Sequence, residues 1–391
     1  MEVTQVYQIL NTASQEILGE SAVVQEDLSN VVDIGRQFAN LSGAVDNYVR
    51  KLPDMIGKVI FVDRIYSGRA PRVVRDAWEY GSILEKVRAD LPVAEENESW
   101  ELQDRSIYSQ EQFYKPQVSV KFFNDRVTFE VPISITEKQV MSSFQSATQL
   151  NAFYSMIATA IANTMTIKMD ALIMRTINVM TAETIYADFP GGSYSGGTGG
   201  RAVNLLYEYN NGPNAGGTAL TAAAALTDPA FLRFAAYRIK TYIGRMKDMS
   251  TLFNVEGTAK FTPLDRMNVV LLNDFRTAAE VYLYDGLNQF NTGDLRFTDN
   301  VESVAYWQGS GTGYAWGDID EINVVTPANH TINATGILGV IFDRDALGVA
   351  NLDRRTTTAY NAKGEFWNEF HKMDAGYWCD LAENYCVFFV A

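Results

Sequence analysis

Between Ser134 and Pro190 the chain runs without an internal glycine or proline, the residues that most readily interrupt a helix. Over that run apolar residues recur at helical spacing: Met141, Phe144, Ala147, Leu150, Tyr154, Ile157, Ala158, Ile161, Met165, Met169, Leu172 and Ile173. The pattern carries to the neighbourhood of Ala182, which predicts an unbroken helix about 70 Å long at 1.5 Å per residue. The one place where a break fits is "NTMT" at 163–166. A helix much beyond ~25 residues in one chain is a coiled coil, a repeat or a structural spine. No heptads with charged flanks run through it, so it reads as a spine, with "TEKQ" at 136–139 fitting a capping box at its start.

The clearest local signal lies just upstream. In "QVSVKFFNDRVTFEVPISI" Val118, Val120 and Phe122 alternate with other residues, and then Val127, Phe129, Val131, Ile133 and Ile135 do the same. Asn124 and Asp125 stand between them and tolerate left-handed turn geometry, which predicts a β-hairpin with one apolar face. Residues 1–50 read as a polar arm of one or two modest helices, and "MIGKVIFVDRI" at 55–65 as a strand. Residues 68–116 hold Trp78, Tyr80, Trp100, Tyr108, Phe113 and Tyr114 among many charges, with no long period. Aromatics in such a segment mark either surface that another molecule buries or a loop folded onto its own domain. The sequence weighs the two evenly.

After the spine comes "FPGGSYSGGTGGRAVN", with six glycines between Pro190 and Arg201. A phosphate loop needs backbone N–H groups aimed at the anion, a helix directly after them and usually Gly-Lys-Ser/Thr. No lysine lies between Lys168 and Lys240, and "NLLYEYNNGPNAGG" reads as polar rather than helical. Residues 190 to about 226 are therefore expected to be slack between two folded pieces. The texture then alternates. "DPAFLRFAAYRIKTYIGRM" predicts a helix with Asp228 as N-cap and Pro229 in its first turn. "MNVVLLN" predicts a buried strand, "DFRTAAEVYLYDG" a helix ended by Gly286, and "DEINVVTPAN" and "TGILGVIFDRDALGVANL" two strands, the second turning into a short helix at Asp345. "GYWCDLAENYCVFFVA" closes the chain as two strands.

Composition narrows the function. The 391 residues carry a formal net charge of −15 and no basic cluster stands out, so general nucleic-acid binding through lysines and arginines is disfavoured. Neither a secretory N-terminus nor a membrane span is expected. The two cysteines, Cys379 and Cys386, and two histidines, His330 and His371, are too few for an ordinary structural zinc site. The cysteines would face each other across a tight turn at Ala382-Glu383, but as free thiols in a reducing cytoplasm. Each histidine reads as structural or surface rather than catalytic, since neither stands in a nucleophile motif. The acids at 318–321 with Trp307 and Trp316 would suit a carbohydrate-active or carbohydrate-binding protein. A run of acids is more often a solvated face, and that reading stays the second choice.

The order of arm, aromatic loop, hairpin, spine helix, linker, mixed α/β unit and closing strands resembles the major capsid proteins of tailed bacteriophages, the Hong Kong-97-type fold. The stretches that carry the resemblance are 117–182, "MNVVLLNDFRTAAE", and the ending from "GILGVIFDRDALGV" to "CVFFVA". It implies an α+β fold: an N-terminal arm (1–54), an extended loop and hairpin (55–135), a peripheral domain with the spine helix and a glycine-rich insertion (136–227), an axial domain (228–344) and closing strands returning to the peripheral domain (345–391). The implied function is structural and non-enzymatic: a head protein that self-assembles through hexamers and pentamers into an icosahedral shell around double-stranded DNA, within a virion assembled in the host bacterial cytoplasm. Portal and scaffolding proteins are the implied partners, with packaged DNA nearby but not specifically bound, and no membrane. Catalytic, metal-ligating and cofactor-binding residues are not expected. Some members join neighbours by lysine–asparagine isopeptide bonds; Lys86, Lys115 and Lys121 on one side and Asn351 and Asn361 on the other have the right chemistry, with no pair singled out.

Overall fold

A computed structural model describes Asn11, Pro71, Val73 and residues 84–89, 91–92, 94–108, 111, 113–138, 147–192, 194–282, 301–307 and 319–391. The expected arm (Asn11 apart), the strand at 55–65, Trp78, Tyr80 and the helix end at Gly286 lie outside the described residues. In chain order the strands are β1 (Leu84–Ala89), β2 (Val118–Phe123), β3 (Arg126–Thr136), β4 (Ala202–Asn204), β5 (Met267–Leu272), β6 (Val301–Val304), β7 (Ile322–Val325), β8 (Thr331–Ala334), β9 (Ile337–Asp343), β10 (Leu347–Asn361), β11 (Phe366–Cys379) and β12 (Tyr385–Phe389). The helices are α1 (Ala147–Asp188), α2 (Leu205–Asn211), α3 (Ala222–Ala225), α4 (Pro229–Met246) and α5 (Asn273–Tyr282).

The spine is one helix of 42 residues, about 63 Å long, unbroken at 163–166. Along its first half Ile157, Ile161, Met165 and Met169 are buried at four-residue intervals while Ile167 is exposed. From Leu172 onward burial spreads around the helix and takes in Thr176, Asn178, Thr181 and Thr184. Buried polar groups need partners, and these find them. Thr176 and Thr184 donate to carbonyls one turn back, Thr181 shares a 2.8 Å hydrogen bond with the Tyr385 hydroxyl, and Asn178 Nδ2 donates to Trp307 O at 2.6 Å.

Two sheets lie along α1. One is antiparallel, in the order β10-β11-β3; the other is mixed, in the order β4-β12-β9-β5-β6, with β4 parallel to β12 and β6 parallel to β5. The second is the deeper core: β9 and β12 are buried throughout. Besides the long passage through α1 from β3 to β4, the chain crosses between the sheets by two short links, from β9 to β10 at 344–346 and from β11 to β12 at 380–384. Asp380 N–H donates to Ala346 O at 2.7 Å, which stitches the two crossings side by side.

Several expectations change. The strands of the expected hairpin exist, but β2 and β3 do not pair with each other. β2 pairs with β1, and β3 forms eleven residue pairs along β11. Length disfavours the expected pairing: β3 has 11 residues and is matched along its whole length by the 14-residue β11, whereas β2 has only 6. Asp125 O accepts from Tyr377 N–H, so the Asn124-Asp125 corner extends that ladder instead of closing a turn. Thr136, expected as a helix cap, is the last residue of β3, opposite Phe366; Gln139 lies outside the described residues. Asp345 starts no helix, because the chain turns there straight into β10. Cys379 ends β11 and Cys386 is the second residue of β12, a strand of the other sheet, and both are free thiols.

The slack reading of the glycine-rich stretch also gives way. Asp188, at the end of α1, accepts hydrogen bonds from Arg201 Nε and Nη2 and from the Arg201 and Ala202 backbone N–H groups, all within 2.8 Å. Gly199 packs against that carboxylate where a Cβ would collide. Asn204 then N-caps α2 by accepting from Tyr207 N–H, and Leu205 and Leu206 of this helix are buried. Asp228 caps α4 as expected.

Candidate assembly surface

β1 and β2 form a two-stranded ladder in which Lys86 stands opposite Lys121 and Val87 opposite Val120. Alternation places Leu84, Lys86, Ser119, Lys121 and Phe123 on the inner face and Val87, Val118, Val120 and Phe122 on the outer one. The usual arrangement is inverted. The lysines face the body of the subunit, while Phe122 is 64% exposed and Val118 56%.

The lysines point inward because acids wait for them. Lys86 Nζ donates to Asp380 Oδ2 at 2.6 Å and lies 2.6 Å from Glu383 Oε1. Lys121 Nζ donates to Asp380 Oδ1 at 2.9 Å and also pairs with Glu256, and Lys260 donates to Glu383 at 2.8 Å. All of this surrounds the 380–384 crossing, where Asp380 is nearly fully buried. Burial alone would push the Asp380 carboxyl up, but hydrogen bonds from Lys121 and Lys86 outweigh it and hold the group below the usual carboxylate range. Glu383 behaves alike, with Lys260 and Lys86 overcoming burial. Burial works against the charged form of Lys121 too, yet Asp380 and Glu256 leave its pKa raised. Beside these ions Leu84 and Phe123 pack on Trp378 and Ala350. The Trp378 ring lies over Gly348, where a Cβ would collide with it.

Beyond this anchored base the chain runs through an exposed tip. A short 3-10 turn spans Glu98–Trp100. Ser99 N–H donates to Asn97 Oδ1 at 2.8 Å, and Gln103 N–H to the Tyr108 hydroxyl at 2.9 Å. These bonds give the tip local order and no core. Trp100 is 96% exposed and Ile107 97%. Phe113 beside them is also exposed, so the tip leaves several large apolar side chains in water.

Lys86 and Lys121 are thus committed to acids of their own chain. No local pattern in the sequence announces that network, in which Lys86 and Asp380 stand 294 residues apart. α4 likewise carries Arg233, Arg238, Lys240 and Arg245 with no acid, a basic helix that the overall charge concealed. Arg238 is bound by Glu208, while Arg233, Lys240 and Arg245 are exposed. Of the two histidines, His330 lies 3.2 Å from Glu183 and stacks on Tyr186 at 3.6 Å, tying the β7–β8 turn to α1. His371 is buried on β11, with Nδ1 3.2 Å from Thr356 Oγ1. Its neighbour Glu369 is fully buried with neither oxygen hydrogen-bonded; burial raises its pKa despite the pull of His371 at 3.4 Å. Trp307 is core, its Nε1 donating to Ile337 O at 2.7 Å, so it offers no platform to a sugar. Trp316 and Asp318 lie outside the described residues. Among those described, no three His, Cys, Asp or Glu residues group as metal ligands, and no helix is long and apolar enough to cross a membrane.

A mixed helix-and-sheet chain with a long spine, two sheets and an anchored hairpin turned apolar side out is what the structure presents. The family model of Phi29-like phage major capsid proteins matches residues 6–389. This chain belongs to that family and is a structural protein of a phage capsid. Its fold is similar to a chain in the capsid structure of Staphylococcus phage Andhra, with 11% identity over 84% of this chain and 87% of that chain and a TM-score of 0.50. A chain in the capsid structure of cyanophage P-SCSP1u is 14% identical over 84% of this chain and 88% of that one, with a TM-score of 0.44. The comparison with curated proteins gave no match. Neither the structure nor the comparisons support the carbohydrate reading.

Proposed function

We propose that copies of this subunit form hexamers and pentamers and close an icosahedral shell around double-stranded DNA, each extended loop lying over a neighbouring copy. The observation that carries this reading is the outward-turned apolar face of β1–β2 together with its exposed tip. An isolated two-stranded hairpin is marginal in water, and each large apolar side chain covered contributes about 1.5–3 kcal/mol. In this reading α1 and the three-stranded sheet make the peripheral domain, and the five-stranded sheet with α4 and α5 the axial one, which gives β4 and the closing strand β12 to the axial domain instead of the peripheral one expected from the sequence. No enzymatic step is proposed. Scaffolding and portal proteins are the further partners, assembly takes place in the host cytoplasm, and the acidic surface lies near DNA without gripping it.

The test replaces residues 94–117 by a short Gly-Ser linker and compares circular dichroism, light scattering and micrographs with the parent. The expected result is a folded, soluble subunit that no longer forms closed shells. Normal particles from the shortened chain would overturn the reading. An unfolded chain would place the loop in its own subunit's core and overturn it as well.

A further inference from the structure

We infer that the outer face of α4 is where the phosphate backbone of duplex DNA rests on the subunit. The inference takes the enclosed duplex from the reading of a shell around DNA, and it names the residues that meet it.

α4 is two-sided. Phe231, Leu232, Ala235, Ile239, Ile243 and Met246 are buried in the core. At about 100° per residue, Arg233, Tyr237, Lys240, Gly244 and Lys247 fall on one line down the outer side. All five are exposed, and Arg245 stands exposed beside them. Lys247 caps the helix in helical conformation, so the line runs on to it, about 21 Å in all at 1.5 Å per residue. Among the described residues no acid pairs with Arg233, Arg245 or Lys247, whereas Arg238, off the line, is bound by Glu208. The acids of this surface are fewer than its cations. Asp248 follows Lys247, and α5, packed against α4, brings Asp274 and Glu280, of which Glu280 pairs with Arg276.

Gly244 is an independent observation. Glycine weakens a helix interior, yet apart from the helix's own backbone no described atom lies within 4 Å of the place its Cβ would occupy. Packing within the subunit does not require the missing side chain. A bare stretch of backbone between Lys240 and Lys247 lets an outside surface come close.

The chemistry selects the partner. Cations about 10 Å apart along the axis, a phenol and bare backbone are groups that bind phosphates. The centre of a protein–protein contact is depleted in lysine, and this line has no aliphatic anchor. Single strands are held on several aromatic platforms, whereas Tyr237 is the one aromatic residue of the line. A duplex backbone asks for neither. On a chain of net charge −15 the contact is weak for one copy and adds up over many copies facing one long ligand.

Free subunits titrated with a short duplex at low salt test the assignment. The parent should bind with a slope of log affinity against log salt of about −2.7, from three phosphates at about 0.9 each. Arg233→Gln, Lys240→Gln and Lys247→Gln together should cut affinity by about tenfold or more, each single change removing about 1 from the slope. All three positions are exposed, so folding should be little affected; should the triple variant unfold, the single variants carry the test through their slopes. Lys363→Gln, in the exposed β10–β11 turn, removes a charge away from α4 and should leave binding unchanged. Gly244→Leu alters no charge and should weaken binding several-fold. Equal binding by parent and triple variant, or no binding of the duplex by the parent, would overturn the inference. So would poly-glutamate, standing for an acidic protein surface, if it bound the parent more tightly than the duplex and lost that binding in the triple variant. Micrographs score the shell separately. Normal particles from the triple variant are expected, and loss of shells with DNA affinity intact would make α4 a contact between copies and overturn the inference. A parent that binds the duplex through α4 but forms no shells would remove the shell reading and leave the α4 contact standing.

Discussion

Asp380 joins both hairpin lysines while its own backbone ties the two sheet crossings together, so one carboxylate holds a large appendage in place. Asp380→Asn leaves Lys86 and Lys121 beside an amide, and denaturant unfolding should show a loss of about 1–3 kcal/mol. That is less than for a fully buried pair, because the lysines are partly in water. The pH dependence follows from the lowered pKa values of Asp380 and Glu383. Their stabilisation is present above the ordinary values of 3.8 and 4.5 and is lost as pH falls through the lower folded ones. The anchor therefore weakens below about pH 4, and the Asn variant should show a shallower acid slope. Glu369 has the opposite sign. Its raised pKa means that its favourable contribution is complete below 4.5 and is lost as pH rises through the folded value. Stability curves of the parent and Glu369→Gln should meet in acid and separate above it, with the variant more stable by about 1–2 kcal/mol near neutrality. Parallel curves would show that Glu369 keeps its charge comfortably.

Elements with a local cause were legible in the sequence. The spine helix follows from 3.6-residue spacing without a breaker, α4 from Asp228 and Pro229, and β5 from a short apolar run. Pairing was not legible. Val118 and Val127 each announce a strand, yet nothing in either names β1 or β11 as partner, because the choice is made by ladder length and by residues far away in the chain. The same limit hid the anchor at Asp380. The glycine-rich stretch misled for a related reason: its order comes from Asp188, outside the glycines, acting on Arg201 and Ala202. Asp188→Ala removes four hydrogen bonds at once and leaves a partly buried guanidinium unmatched. The expected cost is about 2–4 kcal/mol, together with early exchange of the β4 amides in a hydrogen-exchange series. A variant as stable as the parent would restore the view of this stretch as slack.

At the scale of the whole molecule the net charge of −15 sets the relation to nucleic acid. The exposed cations of α4 are a local exception within an acidic field, so duplex DNA should bind no tighter than micromolar near physiological salt. A filter-binding titration checks this, and sub-micromolar affinity would contradict it. The 380–384 crossing has a mechanical consequence. It is clamped to the hairpin by Asp380 and Glu383, and it feeds directly into Tyr385, whose hydroxyl meets Thr181 on the spine. A pull on the hairpin from a neighbour therefore has a short load path into both sheets and the buried half of the helix. Among the described side chains of the helix before Leu172, where the buried ones lie on one face, such ties are fewer. Under tension the subunit should behave as a stiff block carrying a compliant strut, so that strain in a curved shell gathers in the strut and spares the core.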